Sequence, residues 1–185
     1  DMDGDGDVDF LAAVMNSNTI AWYENDGAEV FTEHIIANDF TQARSVVGRD
    51  IDNDDDVDVF GASFAGTIAM WVNNGDDTFT EVLIDQDFSG AMYAYPYDLD
   101  MDGDTDVLGA AYLADEVALW KYSPGPTFTK ISIDASFNGA HHLHVADVDV
   151  DGIPDVLAVA KDGDAAAWWH FNGNNQFTKY VISDS

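Results

Sequence analysis

Four kinds of apolar stretch follow one another along the chain, and the series then starts again. The first stretch is rich in small residues: "VDFLAAV", "VDVFGAS", "TDVLGAA" and "PDVLAVA". The second carries aromatics: "TIAWYE", "TIAMWV", "EVALWK" and "AAAWWH". Turn residues come next ("NDG", "NNG", "SPG", "NGNN"), then "FTEHII", "FTEVLI", "FTKISI" and "FTKYVI". A fourth short segment, "ARSVVG", "AMYAYP" or "AHHLHV", closes the unit. Short apolar runs bounded by turn residues predict strands. No stretch sustains a 3.6-residue apolar period, so helices are expected to be scarce.

Independent markers fix the repeat length. The Phe-Thr pairs begin at Phe31, Phe79, Phe128 and Phe177, spaced 48, 49 and 49 residues apart. An aromatic series at Tyr23, Trp71, Trp120 and Trp168 keeps nearly the same spacing. Four strands per roughly 48-residue unit is the signature of a β-propeller blade. The expected fold is therefore all-β, with four tandem blades at about residues 1–42, 43–90, 91–139 and 140–185. The first blade lacks its first strand, which points to a blade that begins before residue 1. A closed four-bladed ring, an arc of a larger propeller, and two chains paired into an eight-bladed ring are the alternatives. Ala12, Gly61, Gly109 and Ala158 suit close packing near a crowded axis, and the aromatic series suits the wider space between blades.

Charge changes this picture. The 185 residues hold 36 acids against 6 bases, a formal net charge of -30. Such a chain lacks the basic footprint that nucleic acid or an anionic membrane requires. It favours cations as partners. Hydrophobic residues make up 46%, too many for a disordered acidic tail. There is no cysteine, so neither a disulfide framework nor a thiolate metal site is available. No apolar run is long enough to span a bilayer.

Of the 31 Asp, 20 lie in four nine-residue loops that precede the small-residue stretches. Positions 1, 3, 5 and 9 are Asp in every copy: Asp1, Asp3, Asp5, Asp9; Asp50, Asp52, Asp54, Asp58; Asp98, Asp100, Asp102, Asp106; Asp147, Asp149, Asp151, Asp155. Position 6 is Gly6, Asp55, Gly103 or Gly152, residues that tolerate the positive φ of a tight loop. Position 7 is Asp7, Asp56, Asp104 or Ile153. An isoleucine offers no carboxylate, so an ion bound at position 7 is held by the backbone carbonyl. Four or five carboxylates in one loop repel without a counter-ion. Hard oxygen donors closing on a sharp turn point to Ca2+, about four ions, one per loop. An EF-hand is excluded, because position 12 is Ala12, Gly61, Gly109 or Ala158 instead of Glu.

These features resemble the FG-GAP/VCBS repeat family. The resemblance rests on the D-x-D-x-D-G-x-x-D loops, "IAWYENDG" at Ile20–Gly27 and "FGAS" at Phe60–Ser63, and it covers essentially the whole chain. It implies calcium-binding propeller blades, as in integrin α-subunit heads, propeller lectins and secreted bacterial proteins. It also implies that the side chains at positions 1, 3, 5 and 9 and the carbonyl of position 7 hold the ion.

Outside the loops, "AHHLHV" holds three of the five His, with His142 and His144 on one side of a strand and His141 on the other. A His-x-His pair suits Zn2+ or Cu2+. The matching positions are Arg44 and Ser45, then Met92 and Tyr93, so this innermost segment varies between blades. Arg44, Tyr93, His142 and His144 are candidate ligand-binding residues at the channel mouth. No nucleophile triad, phosphate loop or zinc-protease motif is present. The expectation is a non-catalytic, extracellular or cell-surface module that recognises carbohydrate or protein. A surface-layer or filament subunit, self-associating through open blade edges, is the alternative. An accessory domain of a secreted polysaccharide-degrading enzyme is another.

Overall fold

The computed structural model describes residues 1–28, 30–76, 78–123 and 127–184. Among these it contains fifteen strands and no helix. Pro124 and Gly125 of the "SPG" turn lie outside the described residues. The first sheet has three strands, β1 (Phe10–Val14), β2 (Thr19–Asn25) and β3 (Phe31–Ala37). The second has β4 (Ala43–Arg49), β5 (Asp58–Ser63), β6 (Ile68–Asn73) and β7 (Phe79–Asp85). The third has β8 (Ala91–Tyr97), β9 (Asp106–Ala111), β10 (Glu116–Ser123) and β11 (Thr127–Asp134). The fourth has β12 (Ala140–Ala146), β13 (Asp155–Ala160), β14 (Ala165–Phe171) and β15 (Phe177–Asp184). Every sheet is an antiparallel meander whose strands neighbour in chain order. β4 lies against β8 and β8 against β12, so the lead strands face one another along the inside.

Apolar residues weld each sheet to the next. One cluster joins the first and second sheets through Ile20, Trp22, Val59 and Trp71. Another joins the second and third through Phe60, Met70, Val107 and Trp120. A further one joins the third and fourth through Leu108, Leu119, Val156 and Trp169. At each junction a phenylalanine from the loop after one sheet stands edge-on against the tryptophan of the next. Phe40 meets Trp71 at 5.0 Å between ring centroids, Phe88 meets Trp120 at 4.7 Å, and Phe137 meets Trp169 at 5.0 Å. The interplanar angles of 83° to 88° are the edge-to-face geometry that aromatic quadrupoles favour.

This clasp corrects two expectations. The fourth member of the aromatic series is Trp169, not Trp168. Trp169 pairs across the ladder with Val156, as Trp120 does with Val107 and Trp71 with Val59. Adjacent strand residues face opposite ways. Trp168 therefore lies on the other face, stacked on Tyr180 at 4.4 Å, as Trp22 stacks on His34 at 4.3 Å. Secondly, the small residues of the first stretch make room for the clasp, not for an axis. A Cβ on Gly109 would lie 2.6 Å from Trp120 Cζ3 and 3.0 Å from Phe88 Cε1.

The faces at the two ends of the series stay open. Phe10 and Phe31 on the first sheet are 60% and 53% exposed. Val159 and Ile182 on the fourth are 49% and 61% exposed. These positions match, one repeat away, residues that are covered at the inner junctions.

Candidate metal centre in the aspartate loops

Each aspartate loop leads into the small-residue strand of its sheet, and from the second sheet onward it joins the lead strand to that strand. The side chains of the loop hold its own backbone. The position 1 carboxylate accepts the N–H of position 6 in all four copies: Gly6 to Asp1 at 3.1 Å, Asp55 to Asp50 at 3.2 Å, Gly103 to Asp98 and Gly152 to Asp147 at 3.0 Å. The position 5 carboxylate accepts the N–H of position 7, at 2.8 to 3.0 Å. Aspartates that bond the backbone two residues on build such turns without help from the rest of the fold.

The position 9 carboxylate ties the loop to the sheet. Asp58 accepts from Ile51 N–H at 2.8 Å and Asn73 N–H at 2.8 Å, reaching both the loop and β6. Asp9 does the same with Met2 and Asn25, at 2.6 and 2.9 Å. Asp155 accepts from Val148 N–H at 2.9 Å and lies 3.1 Å from His170 Nδ1. Among the described residues, Asp106 accepts only from Tyr122 N–H, at 2.9 Å. Asp58, Asp106 and Asp155 are buried.

The chain takes positive φ at position 6, as the sequence suggests, and also at position 4. Gly4, Asn53, Met101 and Val150 have φ of 77°, 60°, 59° and 63°. Gly4 and Asn53 carry that signal, whereas Met101 and Val150 conceal it. A β-branched residue there is strained by about 1–2 kcal/mol.

Carboxylate oxygens converge inside the loops. Those of Asp1, Asp3 and Asp5, of Asp98, Asp100 and Asp102, and of Asp147, Asp149 and Asp151 lie within 4.8 Å of one another. In the second loop the converging set is Asp50, Asp52 and Asp58, so Asp54 is not part of it. His170 joins Asp149 and Asp155 in a further set, which the sequence reading missed. The signal for it was the residue after the clasp aromatic: Glu24, Val72, Lys121 or His170. In the third repeat that residue turns its ammonium onto Asp100, and onto Asp102 at 3.3 Å. The position 7 side chains of Asp7 and Asp56 lean instead on the turns at Gly27 and Gly75.

The electrostatics ask for a cation. Burial pushes the Asp58 carboxyl up to about 6 and the Asp106 carboxyl up to about 7. Burial, then the neighbouring Asp54, raises Asp52. Asp100 Oδ1 and Asp106 Oδ2 are buried oxygens without a hydrogen-bond donor among the described residues. A buried carboxylate oxygen left bare is costly unless something positive reaches it. Hard oxygen donors of this number and flexibility fit Ca2+ better than Mg2+, which keeps its waters.

The candidate ligand residues separate into two places. Tyr93, Tyr95 and Tyr97 form a ladder on β8, with His142 on Tyr93 at 4.1 Å and His144 on Tyr95 at 5.7 Å. Burial, then His141 and His144, holds the His142 pKa below the usual histidine value. Arg44 lies elsewhere, over the Phe64 ring at 4.8 Å.

Four antiparallel meanders welded face to face by repeated aromatic clasps define propeller-type blades. Residues 1–61, 50–109 and 98–158 match the FG-GAP-like repeat, and the chain belongs to that repeat family. Among solved structures, the intramolecular trans-sialidase from Ruminococcus gnavus, crystallised with oseltamivir carboxylate, superposes with a TM-score of 0.55 at 17% identity. The superposition covers 89% of this chain but 41% of the sialidase chain, and it speaks to fold alone. No curated protein matches the sequence. No helix among the described residues is long and apolar enough to cross a membrane.

Proposed function

We propose that the chain is an extracellular, calcium-braced recognition module without catalytic activity of its own. Its targets are carbohydrate or protein surfaces. Convergence of carboxylates in every repeat, with two buried oxygens lacking a donor in the third, carries the calcium part of this reading. Asp1, Asp3 and Asp5, their equivalents in the third and fourth loops, and Asp50, Asp52 and Asp58 in the second would hold the ion. The position 9 carboxylate anchors the loop to the sheet through backbone N–H groups. Bound Ca2+ supplies charge neutralisation and a rigid turn between neighbouring strands. Membership of a repeat family typical of extracellular proteins supports the location. Glycan-array binding by the Ca2+-loaded chain, lost in chelator, tests the recognition part. An array without a reproducible Ca2+-dependent hit argues against carbohydrate.

The open end faces favour a second reading, as a subunit that assembles end to end. Light scattering across a calcium titration decides it: a strictly monomeric chain at all concentrations counts against assembly.

A further inference from the structure

Three register shifts converge on one place. In the second, third and fourth sheets the ladder between the lead strand and its neighbour slips at the start: Ala43 to Ser45, Ala91 to Tyr93, Ala140 to His142. Arg44, Met92 and His141 are the residues left out of the ladder. A bulge of this kind re-aims a side chain. Across from each, the residue that follows the neighbouring strand is tied back by its N–H. Phe64 donates to the Gln42 carbonyl at 3.0 Å, Tyr112 to Gly90 at 2.8 Å, and Lys161 to Gly139 at 2.9 Å. Each sheet thus presents a bulge residue beside an anchored one. Together the three sheets deliver these six side chains to one pocket of about 260 Å³.

The charge of this pocket is out of keeping with the molecule. The chain has only 6 bases against 36 acids. Lys121, Lys130 and Lys179 are each ion-paired, with Asp100 and Asp102, with Asp85 and Glu116, and with Asp134 respectively. Arg44, Arg49 and Lys161 make no such pair among the described residues; Arg49 lines another pocket beside Tyr97, and Arg44 and Lys161 line this one. Each lies over an aromatic ring instead, Arg44 over Phe64 at 4.8 Å and Lys161 over Tyr112 at 5.8 Å. Asp162 accepts the Tyr112 hydroxyl at 2.6 Å, and Asp115 also lies within electrostatic reach of that ring, so two acids stand near this side of the pocket. Two cations beside two aromatic faces form a site for a ring that carries an anion.

We propose that this pocket binds the carboxylate of an acidic saccharide, with Arg44 and Lys161 on the anion and Phe64 and Tyr112 against the apolar face of the sugar. The proposal rests on the recognition reading above and narrows it to a ligand class. His141 and Met92 close the pocket from the neighbouring bulges. The chain's own negative field opposes an approaching anion, so recognition is confined to contact range.

Calorimetric titration of the Ca2+-loaded chain with methyl galacturonide and with methyl galactoside tests it, because the two sugars differ at the carboxylate. The uronide is expected to bind at least about tenfold more tightly, the difference a charge-assisted pair makes. Arg44→Gln and Lys161→Gln should each weaken it about tenfold, while the melting temperature in Ca2+ stays unchanged. Equal affinity for the two sugars, or uronide binding untouched by both substitutions, overturns the pocket. If the array finds glycans whose binding ignores Arg44→Gln, the pocket fails and recognition stands. If neither acidic nor neutral glycans bind, carbohydrate recognition fails with it.

Discussion

Trp168 and Trp169 are neighbours in sequence and separated by a whole blade interface in function. Trp169 is 1% exposed and sits in the cluster between the third and fourth sheets, clasped by Phe137. A buried tryptophan removes up to about 250 Å² from water, an upper bound of about 6 kcal/mol at about 25 cal/mol per Å². Alanine keeps part of that burial and the cavity relaxes only partly, which brings the expected loss for Trp169→Ala to about 3–5 kcal/mol. For a chain of this length each kcal/mol lowers the melting temperature by about 2–4 °C, so the variant should melt about 6–20 °C lower. Trp168 is half-buried on the open face of the fourth sheet, and its main partner is Tyr180. Trp168→Ala should cost about 1–1.5 kcal/mol, close to the value of an aromatic pair. Urea unfolding followed by far-ultraviolet circular dichroism at saturating Ca2+ gives both numbers without relying on tryptophan emission. Equal losses, or a larger loss at Trp168, would refute the assignment of faces and with it the equivalence of Trp71, Trp120 and Trp169.

Further outcomes follow from the loops. Val150→Gly, at φ 63° and 85% exposed, relieves left-handed strain and should raise stability by about 0.5–1 kcal/mol after the added chain entropy; a thermal melt that moves down contradicts this. Lys121→Val installs the residue of the second repeat where the lysine ammonium now reaches Asp100 and Asp102, so it should strengthen Ca2+ binding at the third loop; an unchanged calcium isotherm contradicts this. In chelator, stability should fall as pH rises from 5 to 8. Burial holds the folded Asp58 and Asp106 carboxyls at about 6 and about 7, above their ordinary values, so across this window the folded chain binds more protons than the unfolded one. Asp106→Asn should flatten the slope, and a melting temperature independent of pH in chelator contradicts the sign.

Much of this was written in the pattern of the chain. The strand series, the repeat length and the Asp loops are local features, because Asx turns and apolar alternation need only near neighbours. The register of the fourth repeat was less legible. "AAAWWH" offers two tryptophans, and only the ladder to Val156 and the contact with Phe137 tell which faces the clasp. The reason for Gly61 and Gly109 was likewise hidden, since it lies in the clasp of the tryptophan across the ladder and a phenylalanine from the loop after the preceding sheet. Arg44 stood out as an odd base, yet its pocket depends on bulges in three sheets and on Lys161, which no local pattern links to it.

Calcium in the aspartate loops is the property most directly open to measurement. Equilibrium dialysis of the chelator-stripped chain against radioactive Ca2+, paired with melting curves, measures both stoichiometry and consequence. The expected result is about four ions at saturation, the third loop filling last, with the melting temperature rising through the titration as ligation to the native state requires. Dialysis that retains no Ca2+ at millimolar concentration, with melting identical in chelator and in Ca2+, would contradict the reading of the aspartate loops as metal sites.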